Sequence, residues 1–340
     1  MPLSMAAPAM AAPPACFPMA ARLPPLPTSI TLPDAATPVP VVGCRRVAAK
    51  HKAVVVLGAT GTGKSRLAID LALRFGGEVI NSDKIQAYAG LDVATNKIGP
   101  AECAGVAHHL LGVVHPDAEF TAADFRREAA RAAAGVASRG RVPIIAGGSN
   151  SYVEELVEGD RRAFRERYEC CFLWVDAKLP VLHDFVARRV DEMCRRGLVD
   201  EVAAAFDPRR TDYSRGIWRA IGVPELDAYL RARGHDDEQR ARMLVAAVDE
   251  IKVNTSRLAL RQRGKIQRLA RMWRVRRVDA TEVFLKRGHA ADEAWQRLVA
   301  APCIDAVRSF LQEDQEYSSM VTASMFASTA AAAAIAAAAV

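Results

Sequence analysis

The sequence predicts an α/β fold, in which a parallel sheet is flanked by helices and a smaller helical region is inserted. Three short segments, at residues 53–57, 78–80 and 142–146, predict strands, each followed by glycines or polar residues, and the apolar run at 53–57 is typical of a buried strand. The first run leads into a glycine-rich loop and then into apolar residues at helical spacing as far as Phe75. The 340 residues, 51% of them hydrophobic and 25% charged, exclude a wholly disordered or collagen-like chain.

The glycine-rich loop has the GxxxxGKS spacing of a phosphate-binding loop. Its residues are Gly58, Ala59, Thr60, Gly61, Thr62, Gly63, Lys64 and Ser65. Glycines let the backbone turn its N–H groups toward an anion, and the N-terminus of the following helix adds the positive end of its dipole. We expect Lys64 to bind terminal phosphate oxygens and Ser65 to coordinate Mg²⁺. The sequence therefore predicts a P-loop NTPase-like sheet with a phosphate site, and it leaves open which molecule carries the phosphate.

Two further loops follow the second and third predicted strands. Asp83 follows the second, and because ligands of open α/β sheets bind beyond the carboxyl ends of strands, it should face the same crevice as Lys64. Asp83 could ligate Mg²⁺, act as a general base or cap a helix, and the cap is the commonest role for such a residue taken alone. The third strand ends in Gly147-Gly148, which would let a ligand approach closely. Motor and signalling NTPases usually have an aspartate there for Mg²⁺, so a plain ATPase is disfavoured.

Positive charge is concentrated in the second half of the chain. The formal net charge of +7 suits anionic partners such as nucleotides, diphosphates or nucleic acid. Nine basic residues and no acid form a basic cluster at 257–277. This cluster is either a helix face that exposes arginines or an anion-binding wall, and we expect at least two members to contact ligand phosphate. The helical region is predicted at about 155–245, and the arginines at 188–196 are predicted to form a solvated helix face.

The two ends of the chain differ from its middle. Residues 1–40 contain eleven of the eighteen prolines and a single acid, so we expect residues 1–50 to be disordered. This acid-poor segment fits either an organellar transit peptide or an untargeted tail. Residues 311–340 are expected to form a low-complexity, Ala-rich tail rather than a membrane span, which leaves 51–310 as the functional domain. The seven scattered cysteines include no CxxC pair, which argues against a disulfide framework or a zinc ribbon.

Seven motifs stand in order between residues 50 and 275. They are GATGTGKS (58–65), NSDKIQAY (81–88), VAHHLLG (106–112), AGGSNSY (146–152), RRVDEM followed by GLVDEV (188–202), GIWRAIGVPEL (216–226) and RQRGKIQRL (261–269). Together they resemble the isopentenyltransferases, and most of all the plant adenylate isopentenyltransferases that make cytokinins. The resemblance implies a P-loop α/β core that transfers a dimethylallyl group from dimethylallyl diphosphate to the exocyclic N6 of adenine. The missing acid after the third strand fits this chemistry, because no γ-phosphoryl group is transferred.

The resemblance also implies roles for the residues around the departing diphosphate. The loop N–H groups, Lys64 and Mg²⁺ held by Ser65 would stabilise the negative charge that grows as the allylic C–O bond breaks. Asp83 matches the family's general base, which takes the N6 proton while the C–N bond forms. Arg219 matches the family arginine that contacts phosphate near the reacting centre. Lys64, Asp83 and Arg219 are therefore the predicted catalytic residues.

Three further residues have roles that the motifs indicate less specifically. Arg261 and Lys265 are candidates for binding the phosphates of the acceptor nucleotide. Trp218 departs from the family pattern, because a second basic residue is expected at that position.

The acceptor separates three hypotheses. The first is an enzyme that acts on free ADP, ATP or AMP, as a monomer without nucleic-acid or membrane partners, in the plastid or else in the cytoplasm or mitochondrion. The second is a tRNA dimethylallyltransferase that modifies an anticodon-loop adenine. Eukaryotic enzymes of that class usually carry a C-terminal C2H2-type zinc finger, which Cys303 and His289 alone cannot form. The third is a P-loop small-molecule kinase, which would need the Mg²⁺ carboxylate that the third strand lacks.

Overall fold

The computed structural model describes residues 50–232, 234 and 236–312, which all belong to one unit of the chain. Its strands are β1 His51–Gly58, β2 Gly77–Asn81, β3 His108–His109, β4 Val142–Ala146, β5 Tyr168–Asp176 and β6 Val275–Asp279. All pair in parallel, in the order β3-β2-β4-β1-β5-β6. The predicted α/β class is confirmed, and the three predicted strands correspond to β1, β2 and β4.

Helices connect these strands and surround the sheet. In the described residues they are α1 Lys64–Phe75, α2 Ala122–Ser138, α3 Asn150–Glu158, α4 Ala163–Arg167, α5 Leu179–Arg195, α6 Leu198–Ala204, α7 Val223–Arg231, α8 Asp237–Leu269, α9 Thr281–Leu285 and α10 Gly288–Trp295. A further helical stretch covers residues 301–312. None of the helices in the described ranges is both long and apolar enough to cross a membrane.

The sheet is buried on both faces, as the unbroken apolar run of β1 indicates. Successive strand side chains point to opposite faces, so Val55 and Leu57 pack in one cluster with residues of α2 and α3. Val54 and Val56 pack in the other cluster, with residues of α1 and of the chain's last described helices. These two layers hold β1 rigidly at the centre, which fixes the position of the loop that follows it.

The predicted helical segment at about 155–245 needs a correction. It contains β5, which lies in the sheet between β1 and β6. β5 pairs with every residue of β1. The apolar core of β5, residues 172–175, is a short buried run, and such a run cannot be told from a buried helix by periodicity alone. The helical region instead extends from α5 to the end of α8, and α8 packs on both α5 and α7.

The predicted segments at the two ends fall outside the described residues. Apart from residue 50, the predicted disordered segment 1–50 lies there. The same holds for the Ala-rich tail 311–340 beyond residue 312, since residues 311 and 312 still belong to the last helical stretch.

A buried carboxylate joins β2 to its neighbours through ion pairs with partly exposed side chains. Glu78 is 4% exposed, and it accepts a hydrogen bond from Arg139 Nη2 at 2.6 Å. His109 Nε2 lies 2.7 Å from the same carboxylate, and Arg141 Nε lies 3.5 Å from its other oxygen. The hydrogen bond from Arg139 outweighs burial and lowers the pKa of Glu78. This carboxylate therefore ties β2 to β3 and to the chain that follows α2.

We expect Glu78→Gln to lower the free energy of unfolding by about 1–3 kcal/mol at pH 7, because a buried charged acceptor is lost. Since the pKa of Glu78 is lowered in the folded protein, this stability is present above the ordinary carboxyl pKa and is lost as pH falls through the folded value. In urea denaturation, the gap between wild type and variant should close progressively below about pH 4.5. Glu238→Gln, which removes an exposed partner of Arg242, is the control and should change stability by less than about 0.5 kcal/mol. A difference in the free energy of unfolding that does not vary with pH would contradict the lowered pKa of Glu78.

Candidate active site

A cavity of about 1000 Å³ opens where β1, β2 and β4 end at the carboxyl edge of the sheet. This is the upper end of the range for small-molecule sites, about 300–1,000 Å³. Residues from α5, α8, the turn Gly216–Arg219 and the chain around α9 and α10 complete its walls. The three predicted catalytic residues, Lys64, Asp83 and Arg219, all line this one cavity. Tertiary structure thus brings together side chains that the sequence separates widely.

The predicted phosphate-binding loop divides into a part that lines the cavity and a part that is buried behind it. The residues that line the cavity are Thr60, Gly61, Gly63, Lys64 and Ser65. Gly58, Ala59 and Thr62 are buried behind them. The carbonyl oxygen of Ala59 accepts hydrogen bonds from Lys64 Nζ at 2.7 Å and from Thr62 Oγ1 at 2.9 Å. The buried part therefore sets the shape of the loop. The part that lines the cavity presents its N–H groups and side chains to a ligand.

Trp295 supports this loop from the side of α1. Gly63 has a φ of +91°, and a Cβ atom there would lie 2.6 Å from the Trp295 ring, so only glycine fits. Trp295 is 1% exposed, and its indole Nε1 donates to Asp70 Oδ2 at 2.8 Å. Because Trp295 lies 225 residues from Asp70 along the chain, sequence reasoning gave no signal for this contact.

Two cations whose pKa burial lowers, Lys64 and Arg189, share the cavity with the carboxylate of Asp83. Burial lowers the pKa of Lys64 to about 8, an effect that Asp83 opposes and Arg189 reinforces. Arg189 donates from Nη2 to Thr60 Oγ1 at 2.7 Å, while its Nε is buried without a hydrogen-bond partner in the described structure. Burial also lowers the pKa of Arg189, to about 10. This arrangement favours a multiply charged anion, which would compensate both cations.

The prediction of a solvated arginine face is wrong for Arg189. On α5 it continues the buried stripe of Leu182, Val186 and Met193, at successive spacings of four, three and four residues. That spacing is the apolar repeat of an amphipathic helix, so an arginine in it was a signal that sequence reasoning missed. A charged residue in such a stripe is expected to have a partner or a ligand.

Asp83 uses one carboxylate oxygen locally and turns the other toward its neighbours. Oδ1 accepts hydrogen bonds from the backbone N–H groups of Ile85 at 3.0 Å and Gln86 at 3.4 Å, so the carboxylate does cap a turn. Oδ2 faces Gly148, where a Cβ atom would lie 2.7 Å from it. A Cβ atom on Gly147 would lie 2.4 Å from the Asp83 nitrogen. These glycines make room for the Asp83 segment, and they also line the cavity, where we expect them to let a ligand approach.

Arg219 lines the cavity, whereas the neighbouring Trp218 turns away from it. Arg219 Nη2 donates to the hydroxyl of Tyr88 at 3.2 Å, which fixes the guanidinium against a fully buried ring. Trp218 Nε1 donates to Asp117 Oδ1 at 2.6 Å, and the Arg210 guanidinium lies 3.8 Å from the centre of its ring. The residue that departs from the family pattern therefore anchors this turn to Asp117.

The basic cluster contributes little to the cavity. Among its nine members, which all lie in the described ranges, Arg261 lines the cavity, and Lys265 is exposed outside the lining. Arg263 and Arg277 instead bind the buried carboxylate of Asp176, at 3.0 Å and 2.7 Å. The expectation that at least two members contact phosphate is therefore not supported by this arrangement. Two members thus neutralise the one carboxylate at the end of β5, and Arg268 binds Glu154 on α3.

The oxygen ligands available here fit Mg²⁺ bound together with a diphosphate. The described residues contain no group of three or more His, Cys, Asp and Glu side chains that could hold a metal ion. Ser65 and Asp83 line the same cavity and offer a hydroxyl and a carboxylate. Mg²⁺ in proteins usually takes one or two such ligands and completes its octahedron with substrate phosphates and water.

Comparisons with known proteins define the class of this enzyme. The chain matches the family model described as IPP transferase at residues 86–166 and 158–269. It is 59% identical to adenylate isopentenyltransferase 5, chloroplastic, of Arabidopsis thaliana, over 79% of this chain and 82% of that protein. It is 53% identical to adenylate isopentenyltransferase 7, mitochondrial, of the same plant, over 78% of this chain and 82% of that protein. It is 43% identical to the adenylate isopentenyltransferase of Humulus lupulus (76% and 90%).

Solved structures agree on the fold. The tRNA isopentenylpyrophosphate transferase of Bacillus halodurans superposes with a TM-score of 0.62 at 26% identity, over 80% of this chain and 99% of that one. A eukaryotic dimethylallyltransferase acting on tRNA has a TM-score of 0.65 at 22% identity (78% and 80%), which shows the fold alone. The molecule is thus a transferase with a P-loop-like α/β fold. The chain belongs to the IPP transferase family, and its curated relatives are adenylate isopentenyltransferases.

The pKa of Lys64 predicts how anion binding depends on pH. A bound diphosphate would raise the pKa of Lys64 from its value of about 8, so the contribution of Lys64 to the affinity should be constant below pH 8 and fall as the pH rises above it. Calorimetric titration with inorganic diphosphate in buffers of different ionisation enthalpy should show proton uptake above pH 8. Lys64→Met should bind diphosphate more weakly at pH 7 and lose this part of the pH dependence, while the ligand's own titration is common to both proteins. Identical proton uptake in the two proteins would contradict the assignment.

Proposed function

We propose that this enzyme transfers the dimethylallyl group of dimethylallyl diphosphate to N6 of the adenine of free ADP, ATP or AMP, which starts cytokinin synthesis. The observation that carries the proposal is one cavity in which two desolvated cations, Lys64 and Arg189, lie with the carboxylate of Asp83. The names of the relatives, adenylate isopentenyltransferases, support a free adenylate as the acceptor.

In this proposal the donor diphosphate binds at the glycine-rich loop. Negative charge grows on the diphosphate as the allylic C–O bond breaks, while the carbon becomes cation-like. Lys64, Arg189 and the N–H groups at the start of α1 would stabilise that charge, a role supported by the position of both side chains in the cavity. Mg²⁺, which Ser65 and the diphosphate oxygens would hold, supplies further charge neutralisation when it is bound.

Asp83 is the proposed general base. The lone pair of the adenine amino group is delocalised into the ring, so N6 becomes nucleophilic as its proton leaves. The carboxylate oxygen that the turn does not use, Oδ2, is available to accept that proton. The C–N bond forms, the C–O bond breaks, diphosphate departs and the N6 proton passes to Asp83.

Other residues of the cavity are proposed to hold the substrates in place. Arg219 would contact phosphate near the reacting centre, and Arg261 would bind the phosphates of the acceptor. Met193, Ile221 and Ile251 line the same cavity and offer apolar surface to the prenyl chain and the adenine ring. The exposed position of Lys265 does not support the phosphate role predicted for it.

We also propose a plastid location. Of the relatives named above, one is called chloroplastic and another mitochondrial. Residues 1–50 have the acid-poor composition of an organellar transit peptide. A fusion of residues 1–50 to a fluorescent protein tests this proposal, and fluorescence spread through the cytoplasm would contradict it.

The acceptor is tested directly with the purified protein. We expect dimethylallyl diphosphate and Mg²⁺ to give prenylated product with ADP, ATP or AMP, and much less with tRNA that carries adenine at position 37 in a separate reaction. Mass spectrometry of each product identifies the modified base. Prenylated tRNA with unmodified nucleotides would favour the tRNA enzyme, and phosphoryl transfer from ATP to a small molecule would favour a kinase.

For the base, we expect Asp83→Asn to lower kcat by at least about 10²–10⁴-fold, because the variant can neither accept the proton nor orient N6 as a carboxylate does. Steady-state kinetics with the best acceptor measures this loss. Asp249→Asn, at an exposed position on α8, is the matched control and should leave kcat unchanged. Near-normal turnover by Asp83→Asn would remove Asp83 from the mechanism.

A further inference from the structure

One side chain of α8 connects the two loops on which the proposed chemistry depends. Gln262 is 8% exposed, and its Oε1 accepts a hydrogen bond from the backbone N–H of Thr60 at 2.7 Å. Its Nε2 donates to the carbonyl oxygen of Gly148 at 2.9 Å. The backbone carbonyl of the same residue accepts from Asn150 Nδ2 at 3.2 Å. A single amide thus bridges the loop after β1 and the loop after β4.

Each bridged loop contacts a residue to which the proposed mechanism gives a role, Arg189 or Asp83. Thr60 belongs to the phosphate-binding loop, and its hydroxyl accepts a hydrogen bond from Arg189. Gly148 is enclosed between Gln262 and Asp83, since a Cβ atom there would lie 2.7 Å from Gln262 Nε2 and 2.7 Å from Asp83 Oδ2. A continuous series of contacts therefore runs from Arg189 through Gln262 to the carboxylate of the proposed base.

We propose that Gln262 is a positioning residue, which sets the separation between the diphosphate-binding loop and Asp83. The inference rests on the proposed function, in which the leaving group lies at the first loop and N6 is deprotonated at the second. Gln262 is not among the residues that line the cavity, so it acts through Thr60 and Gly148. Displacement at carbon needs the attacking nitrogen and the departing oxygen in line, and a misplacement of about 1 Å can cost about 100-fold in rate.

The amide is suited to this task because it holds an NH₂ group that donates and an oxygen that accepts on one rigid plane. Gly148 presents a carbonyl and Thr60 presents an N–H group, so reversing or removing either end leaves a buried polar group unpaired. A glutamate at this position keeps an acceptor for Thr60, but its second oxygen opposes the Gly148 carbonyl. When that glutamate is protonated, it regains the donor.

The experiment compares Gln262→Met, Gln262→Glu and the wild type in steady-state prenylation between pH 6 and pH 9. Methionine keeps the volume of the side chain and removes both hydrogen bonds. We expect Gln262→Met to lower kcat by about 10–100-fold and to change KM for either substrate by less than about threefold. Gln267→Met, at an exposed position on the same helix, is the control and should leave both constants unchanged.

The pH profile separates positioning from a merely structural role. We expect the kcat of Gln262→Glu, relative to that of the wild type, to rise as the pH falls, because the protonated side chain restores the donor to Gly148. The same ratio for Gln262→Met should not depend on pH. Thermal unfolding of each variant accompanies the kinetics, and kcat is measured well below the lowest melting temperature.

Three outcomes would overturn the inference. They are a kcat within twofold of wild type for Gln262→Met, a loss confined to KM, or equal losses with equal pH profiles for the Met and Glu variants. Wild-type protein that prenylates neither nucleotides nor tRNA would instead overturn the proposed function, and the inference with it. Activity of the wild type therefore tells the two failures apart.

Discussion

Two positive side chains held away from water beside one carboxylate are the constraint on which the site depends. Burial lowers the pKa of Lys64 and of Arg189, while Asp83 compensates them only in part. Desolvated charges cost several kcal/mol each unless a partner of opposite sign is near. A multiply charged anion is such a partner. The cavity therefore favours a multiply charged ligand, such as the diphosphate of the proposed prenyl donor.

The parallel sheet makes this concentration of charge possible. All its strands point the same way, so the loops after β1, β2 and β4 meet at one edge. Gly147 and Gly148 let two of these loops approach closely, since a side chain on either would collide with the Asp83 segment. The helices α5 and α8 close the cavity from one side, and Trp295 supports the glycine-rich loop.

Short sequence patterns predicted those strands and loops whose conformation depends little on contacts with distant residues. The strands β1, β2 and β4 followed from buried apolar runs, and the glycine-rich loop followed from its spacing. The strand β5 did not, because a short apolar run between helices has no period of its own. Arg189 was assigned to a solvated face although its spacing matched the apolar stripe of α5, since arginine usually lies at the surface.

By itself, the sequence determined that a phosphate-binding loop and the loop with Asp83 follow two successive strands of the chain, and that the motifs are those of isopentenyltransferases. These features depend on residue type and on spacing along the chain, which are local. Only the tertiary structure decided which cations face the ligand, because Arg189 and Arg261 line the cavity whereas Arg263 and Arg277 bind Asp176. Pairing and desolvation arise from contacts between distant segments, and the linear order of residues does not specify which segments meet.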